Sequence, residues 1–259
     1  MRSPPEMVKT PAELDRMRAS GRLLASVFEM LDRQVLAGMS TLAINDLVER
    51  YIVGDCAARP ASKGQYGFAY VLNSSINHGV PDAGAIVRDG DIVNLDITLE
   101  KDGFIADSSK TYLVGDVGPQ ARRLVQAAQG AMWAGIGQVR PGARLGDIGH
   151  AIERHAKKLG YSVVREYCGH GIGREMHEEP SVLNFGRPGT GAVLREGMTF
   201  TIEPMLNQGS RKVVSEADEW TVVTADGKLS AQFEHTVAVP ATGVEVLTLR
   251  SDETPPRRG

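Results

Sequence analysis

Gly90-Asp91-Ile92-Val93-Asn94-Leu95-Asp96-Ile97-Thr98-Leu99-Glu100-Lys101-Asp102-Gly103-Phe104-Ile105-Ala106-Asp107-Ser108-Ser109-Lys110-Thr111 is the stretch that decides the fold. From Val93 to Leu99 apolar and polar residues alternate, the period of a strand with two unlike faces. Val93, Leu95, Ile97 and Leu99 share one face, and Asn94, Asp96 and Thr98 share the other. Asp102-Gly103 carries the signal of a tight reversal, so a second strand is predicted from Phe104 to Thr111. A two-residue loop sets Asp107 opposite Asp96 or one diagonal step away on the same face; a loop one residue longer would not. Two carboxylates facing each other across a hairpin repel unless a cation lies between them. For the hairpin alone, two exposed acids on a wet face are the simpler reading, and the rest of the chain argues against it.

Upstream, Thr10-Pro11-Ala12-Glu13 reads as a capping box with proline at the first helical position. Leu14, Met17, Leu24, Val27, Phe28, Leu31 and Val35 recur at helical spacing, predicting a helix that Gly38 ends. A second helix is predicted over residues 41–53, then Gly-, Ser- and Asn-rich loop with short strands over 59–81. Downstream, the turn at 115–119 restarts a helix to about Gln138, another follows over 145–159, and mixed strand and loop succeed it. Residues 251–259 read as a polar, disordered tail.

The second half echoes the first. Gly38, Ile44, Val48, Glu49 and Arg50 recur at one offset as Gly142, Ile148, Ile152, Glu153 and Arg154. His78-Gly79-Val80-Pro81 is echoed by His177-Glu178-Glu179-Pro180. Val87 to Asp96 is echoed by Leu194 to Glu203, which sets Glu203 where Asp96 stands. The Asp107 strand has its counterpart around Glu234, in Ser230-Ala231-Gln232-Phe233-Glu234-His235-Thr236. Two similar helix–helix–hairpin halves, residues 10–115 and 119–250, are therefore expected, packed about a pseudo-two-fold axis within a single domain spanning 1–259.

Two facing hairpins bring Asp96, Asp107, Glu203 and Glu234 together, and four carboxylates cannot stay ionised and dry without counter-charge. Two divalent cations would neutralise them. Oxygen ligands with one imidazole suit Mn, Fe, Co or Zn. Composition excludes other classes. A net charge of −3, with no dense Lys/Arg block, gives no nucleic-acid signature. Two cysteines, Cys56 and Cys168, form no framework. No apolar run reaches membrane-spanning length, and the first ten residues lack a signal-peptide core, so the cytosol is the expected compartment. Cys168 and His170 lie two apart, but without a third orienting group they make a poor thiol nucleophile pair. His150 and His155 read as surface or packing residues. Alternation turns His235 away from Glu234, toward packing.

Asn94-Leu95-Asp96, the Asp107 strand, Cys168-Gly169-His170-Gly171-Ile172-Gly173, Met176-His177-Glu178-Glu179-Pro180, Thr201-Ile202-Glu203-Pro204 and Phe233-Glu234-His235-Thr236, taken in order, resemble the motifs of the type I methionine aminopeptidases. The resemblance runs from about Val8 to Val246. It implies an α+β pita-bread fold: two pseudo-symmetric halves, a central curved, mostly antiparallel sheet, and helices packed outside. It implies two metals and removal of the amino-terminal methionine of nascent proteins by a metal-activated water. Carried over by position, Asp107 and Glu234 bridge both metals, Asp96 chelates one, and His170 and Glu203 bind the other. Glu203 also shuttles the proton, while His78 and His177 contact substrate at the scissile amide, His177 steadying the oxyanion.

Phe68, Met176 and Trp220 are implied as walls of the methionine slot, where sulfur meets rings. For Phe68 and Trp220 plain core packing is the competing reading. The chain departs from the family at this rim. Lys63 stands where an apolar residue is usual, Gln65 where a tyrosine is common, and the segment from Phe68 to Asn73 is about four residues shorter. Only about ten residues precede the first helix and the interval from Glu203 to Glu234 is short, the expectation for type I without an extension. A monomer acting near the ribosome, with no nucleic-acid or membrane partner, is what the resemblance suggests. The rivals are a proline-directed aminopeptidase of the same fold, which carries an extra amino-terminal domain, and a non-catalytic binding protein, which would have lost ligands this chain keeps.

Overall fold

The computed structural model describes residues 7–79, 84–215 and 221–255. Its helices are α1 (Pro11–Leu31), α2 (Thr41–Arg50), α3 (Pro119–Ile136) and α4 (Leu145–Lys158). The strands before α3 are β1 (Arg59–Pro60), β2 (Leu72–Ile76), β3 (Ile92–Lys101) and β4 (Phe104–Leu113). After α4 come β5 (Ser162–Val163), β6 (Gly169–Gly171), β7 (Glu178–Val182), β8 (Thr199–Ile202) and β9 (Met205–Asn207). The chain continues through β10 (Val213–Ser215), β11 (Val222–Thr224), β12 (Ser230–Gln232), β13 (Glu234–Ala238) and β14 (Glu245–Val246). Nine strands share one sheet in the order β1-β3-β4-β13-β8-β6-β7, with β2 beside β3 and β14 beside β13. The pairings along it are antiparallel.

The hairpin forms as its sequence dictates. Asp102 (φ 52°) and Gly103 (φ 78°) make a two-residue turn with both φ angles positive, the geometry that follows the twist of the flanking strands. The register sets Thr98 against Asp107 and Asp96 against Ser109. Asp107 therefore lies one diagonal step from Asp96, on the same face.

The other face of β3 is apolar and wholly buried. Val93, Leu95, Ile97 and Leu99 pack with Leu24, Val27 and Phe28 of α1 and Ile44 and Val48 of α2. A separate cluster joins Phe200, Ile202 and Val237 to Leu124, Ala128 and Met132 of α3 and Ile148 and Ile152 of α4. Each of the larger of these side chains (Val, Leu, Ile, Met, Phe) contributes roughly 1.5–3 kcal/mol when buried. One helix pair thus covers the outside of each half, and the polar faces of both hairpins turn inward.

At the seam between halves, β4 and β13 pair through only Glu234 with Ser109 and His235 with Ser108. Threonine hydroxyls take over where the ladder opens. Thr236 Oγ1 donates to the Asp107 carbonyl (2.7 Å) and accepts from its N–H (3.0 Å). Thr111 Oγ1 donates to the Gln232 carbonyl (2.7 Å) and accepts from its N–H (3.2 Å).

Two expectations need correction. The first helix ends at Leu31 with Asp32 as its cap, and Val35 is 80% exposed. Lys110 holds Asp32 at 2.6 Å, a long-range anchor that apolar spacing cannot reveal. The polar tail is also ordered as far as it is described: Glu253 is buried in ion pairs with Arg250 (2.7 Å) and His235 (3.0 Å). The capping box of Thr10 and Glu13 forms, and α2 continues as a wide turn through Asp55.

Candidate metal centre

A cavity of about 960 Å³ opens on the inward face of the sheet, and Asp96, Asp107, His170, Glu203 and Glu234 all line it. Four strands and a loop supply them: β3 gives Asp96, β4 Asp107, β13 Glu234 and β6 His170, while Glu203 directly follows β8. One ligand atom each from Asp107, His170 and Glu234 lies within 4.8 Å of the others. His170 Nε2 stands 3.5 Å from Glu203 Oε1 and 3.8 Å from Asp107 Oδ2.

The local structure fixes how these groups point. His170 Nδ1 donates to the Gly171 carbonyl at 3.0 Å, which leaves Nε2 as the acceptor facing the carboxylates. The Thr201 hydroxyl donates to Glu203 Oε1 at 2.9 Å and accepts from the His170 N–H at 3.0 Å. The glycines around His170 serve the sheet rather than a ligand. A Cβ at Gly171 would strike the Glu179 carbonyl, and one at Gly169 the Thr201 carbonyl. Neighbouring backbones close in on β6, and that close approach brings His170 to the acids.

Electrostatics test whether cations fit here. Burial pushes the Asp96 carboxyl up to about 6. Burial, then the charge of Asp96, takes Glu203 to about 8. Asp107 and Glu234 are raised well above the carboxylate range by burial and by the neighbouring acids. Asp107 Oδ1 and Glu234 Oε1 are buried with no hydrogen-bond partner. Burial lowers His170 to about 4, so its ring is neutral at pH 7. Unpaired carboxylate oxygens beside a free imidazole nitrogen make a donor set that divalent cations satisfy and protein donors do not.

The remaining singled-out residues divide by position. His78 and His177 stand exposed at the cavity, reaching it from different halves. The His177 ring meets the His170 ring edge to face, with centroids 4.5 Å apart. Partial desolvation lowers the His177 pKa and favours its neutral form. Phe68 and Met176 line the cavity. Phe68 packs edge to face with Tyr70 (5.7 Å), and Met176 is 7% exposed within a cluster holding Phe104 and Ile172. Trp220 lies outside the described residues. Lys63 points to Glu49 on α2, 2.5 Å away, and Gln65 lines the cavity.

His235 is fully buried on the opposite side of the sheet, with Nδ1 2.9 Å from the Thr248 hydroxyl. His155 packs on Gly130 of α3. Burial and the charge of Glu203 raise the Cys168 thiol, the reverse of an activated nucleophile. Sequence reasoning missed Thr201, Thr236 and Arg250. The only signal for the threonines is their place as polar residues alternating within apolar strands.

Comparison with known proteins agrees with this geometry. The model of metallopeptidase family M24 matches residues 15–241. A methionine aminopeptidase of Escherichia coli (strain K12) is 46% identical over 253 residues, 96% of each chain. Methionine aminopeptidase B of Synechocystis is 48% identical, with 92% of this chain and 89% of that one covered. The crystal structure of methionine aminopeptidase from Rickettsia prowazekii superposes with a TM-score of 0.90 at 46% identity, covering 93% of this chain and 99% of that one. A buried cluster of carboxylates beside one imidazole, in a chain that matches the family model and these proteins over nearly its whole length, leaves one conclusion: the chain belongs to metallopeptidase family M24, with the methionine aminopeptidases.

Proposed function

We propose that this protein is a type I methionine aminopeptidase that removes the initiator methionine from nascent proteins with two divalent metal ions. The observation that carries the reading is the convergence of Asp96, Asp107, His170, Glu203 and Glu234 on one cavity, combined with the identity to methionine aminopeptidases over nearly the whole chain. Asp107 and Glu234, the innermost acids, would be shared between the ions; Asp96 would hold one, and His170 Nε2 with Glu203 the other. Bound divalent ions supply an activated water and polarise the scissile carbonyl. The choice among Mn, Fe, Co and Zn is set by availability as much as by these ligands.

The chain's own groups do the rest. His177, neutral and edge-on to His170, presents a ring N–H to the developing oxyanion. His78, which also lines the cavity, orients the scissile amide. Glu203, steadied by the Thr201 hydroxyl, accepts the proton of the attacking water and returns it to the leaving amine. Phe68 and Met176 wall the apolar slot for the methionine side chain, with Trp220 as a further wall. The enzyme would act as a monomer in the cytosol, close to the ribosome.

Release of free methionine from Met-Ala-Ser, with Leu-Ala-Ser and Ala-Pro-Ser alongside, tests the reading. Metal-stripped protein is assayed before and after titration with Co, Mn, Fe or Zn. Metal-dependent cleavage of the Met peptide alone is expected. Cleavage of the Leu or Pro peptide instead would overturn the methionine slot, and no cleavage by folded, metal-loaded protein would overturn the activity.

A further inference from the structure

Arg250 is the bulkiest fully buried side chain among the described residues, 1% exposed, and it lies on the side of the sheet away from the cavity. The backbone of Leu247 bonds to Thr236 at 2.9 Å, so the segment after β14 runs along β13. Thr248 Oγ1 accepts from the Thr236 N–H (3.1 Å) and donates to His235 Nδ1 (2.9 Å). Arg250 Nη1 donates to Ser108 Oγ at 3.1 Å, and that hydroxyl donates onward to the Glu234 carbonyl at 2.8 Å. Arg250 Nη2 is held by Glu253 at 2.7 Å, and the other oxygen of Glu253 takes the His235 Nε2 hydrogen at 3.0 Å. The guanidinium rests on the Phe28 ring of α1, 5.2 Å from its centroid.

Strand alternation gives this arrangement its meaning. Ser108 follows Asp107 and His235 follows Glu234, each pointing to the opposite face from the acid before it. One segment therefore grips, from behind, the immediate neighbour of both innermost acids. It grips them where β4 and β13 share only two register pairs, so the backbone ladder alone holds the two acids loosely. Stability alone does not require the arrangement: breaking a buried ion pair destabilises, but a well-packed apolar cluster in its place can be as stable. A catalytic site, by contrast, tolerates only about 0.5 Å of slack in its ligands.

We infer that Thr248–Glu253, centred on Arg250, is a positioning clasp that sets the spacing of the Asp107 and Glu234 carboxylates and thereby the affinity for the metal ions. The inference rests on those two acids being ligands. The test measures Mn²⁺ affinity of the full-length, metal-stripped protein by isothermal titration, with kcat and KM on Met-Ala-Ser. Arg250→Met should weaken Mn²⁺ binding and lower kcat, each by about 10–100-fold, with KM little changed. Arg250→Lys, which restores the charge without the fork, should recover part of both. If Arg250→Met fails to fold, Glu253→Gln decides, with Mn²⁺ affinity falling by about tenfold expected. Wild-type Mn²⁺ affinity and kcat in folded Arg250→Met, or in Glu253→Gln where that variant decides, overturns the clasp. Asp107→Asn separates the two levels of the argument. If it keeps its Mn²⁺ the ligand assignment falls; if it loses Mn²⁺ while Arg250→Met does not, only the clasp falls.

Discussion

His177 shows how much a single side chain gains from its surroundings. Its ring touches the His170 ring yet faces the cavity, and partial desolvation favours its neutral form, in which it can donate a hydrogen bond without repelling a cation beside it. His177→Ala should lower kcat by about 10²–10³-fold, the cost of one oxyanion donor, while metal content by atomic absorption stays at the wild-type level. Loss of metal in that variant would make His177 a ligand instead. Gly171 makes the complementary point through what it lacks. A Cβ there would collide with the Glu179 carbonyl, and backbone cannot yield as a flexible side chain can. Gly171→Ala should therefore destabilise the fold by about 1–3 kcal/mol, the usual cost of overpacking, and displace His170. Urea denaturation measures the first effect and Mn²⁺ titration the second.

Among the elements, the carboxy-terminal segment has a defined response to acid. Burial pushes Glu253 up, but the His235 hydrogen bond and the Arg250 charge outweigh it and hold the carboxyl at about 2 against an ordinary 4.5. Because folding favours the ionised form, its stabilisation is complete above about pH 4.5 and is lost as pH falls toward 2. His235 acts in the same direction. Burial, then the Arg250 charge, lowers it from 6.5 to about 4. The unfolded chain takes up that proton first, and stability declines from about pH 6.5 to 4. Glu253→Gln should be less stable than the wild type by roughly 2 kcal/mol at pH 7. The gap between the two should narrow below pH 4.5 in paired denaturation curves. A gap independent of pH would show that the carboxylate charge contributes nothing.

At the scale of the whole molecule, the two halves bring four acids onto one seam, and folding without cations must bury them protonated or repelling. Bound metal relieves this only in the folded state. Stripping the ions with a chelator should therefore lower the melting temperature by about 5–10 °C, as expected for a ligand worth about 2.7 kcal/mol at a hundredfold excess over Kd in a chain of this length. An unchanged melting temperature would place the metals elsewhere. Much of this plan is legible in the chain. The Val93–Leu99 alternation, the Asp102-Gly103 turn and the echo of Asp96 in Glu203 are local or periodic signals, and they specified the hairpin, the shared face of its two acids and the convergence of acids, while the choice between a directly opposite and a diagonal register fell to the structure. What stayed hidden has one physical character. Val35 leaves the predicted helix, Glu253 folds inward, and Thr236 and Thr111 replace the ladder at the seam, because each depends on a partner tens to hundreds of residues away. The sequence by itself determined which side chains share a face, since backbone geometry imposes that period at short range. Only the tertiary structure decided that the hairpins meet through threonine hydroxyls and that a buried arginine stands behind the acids, because those contacts exist only once distant strands are packed and water is excluded.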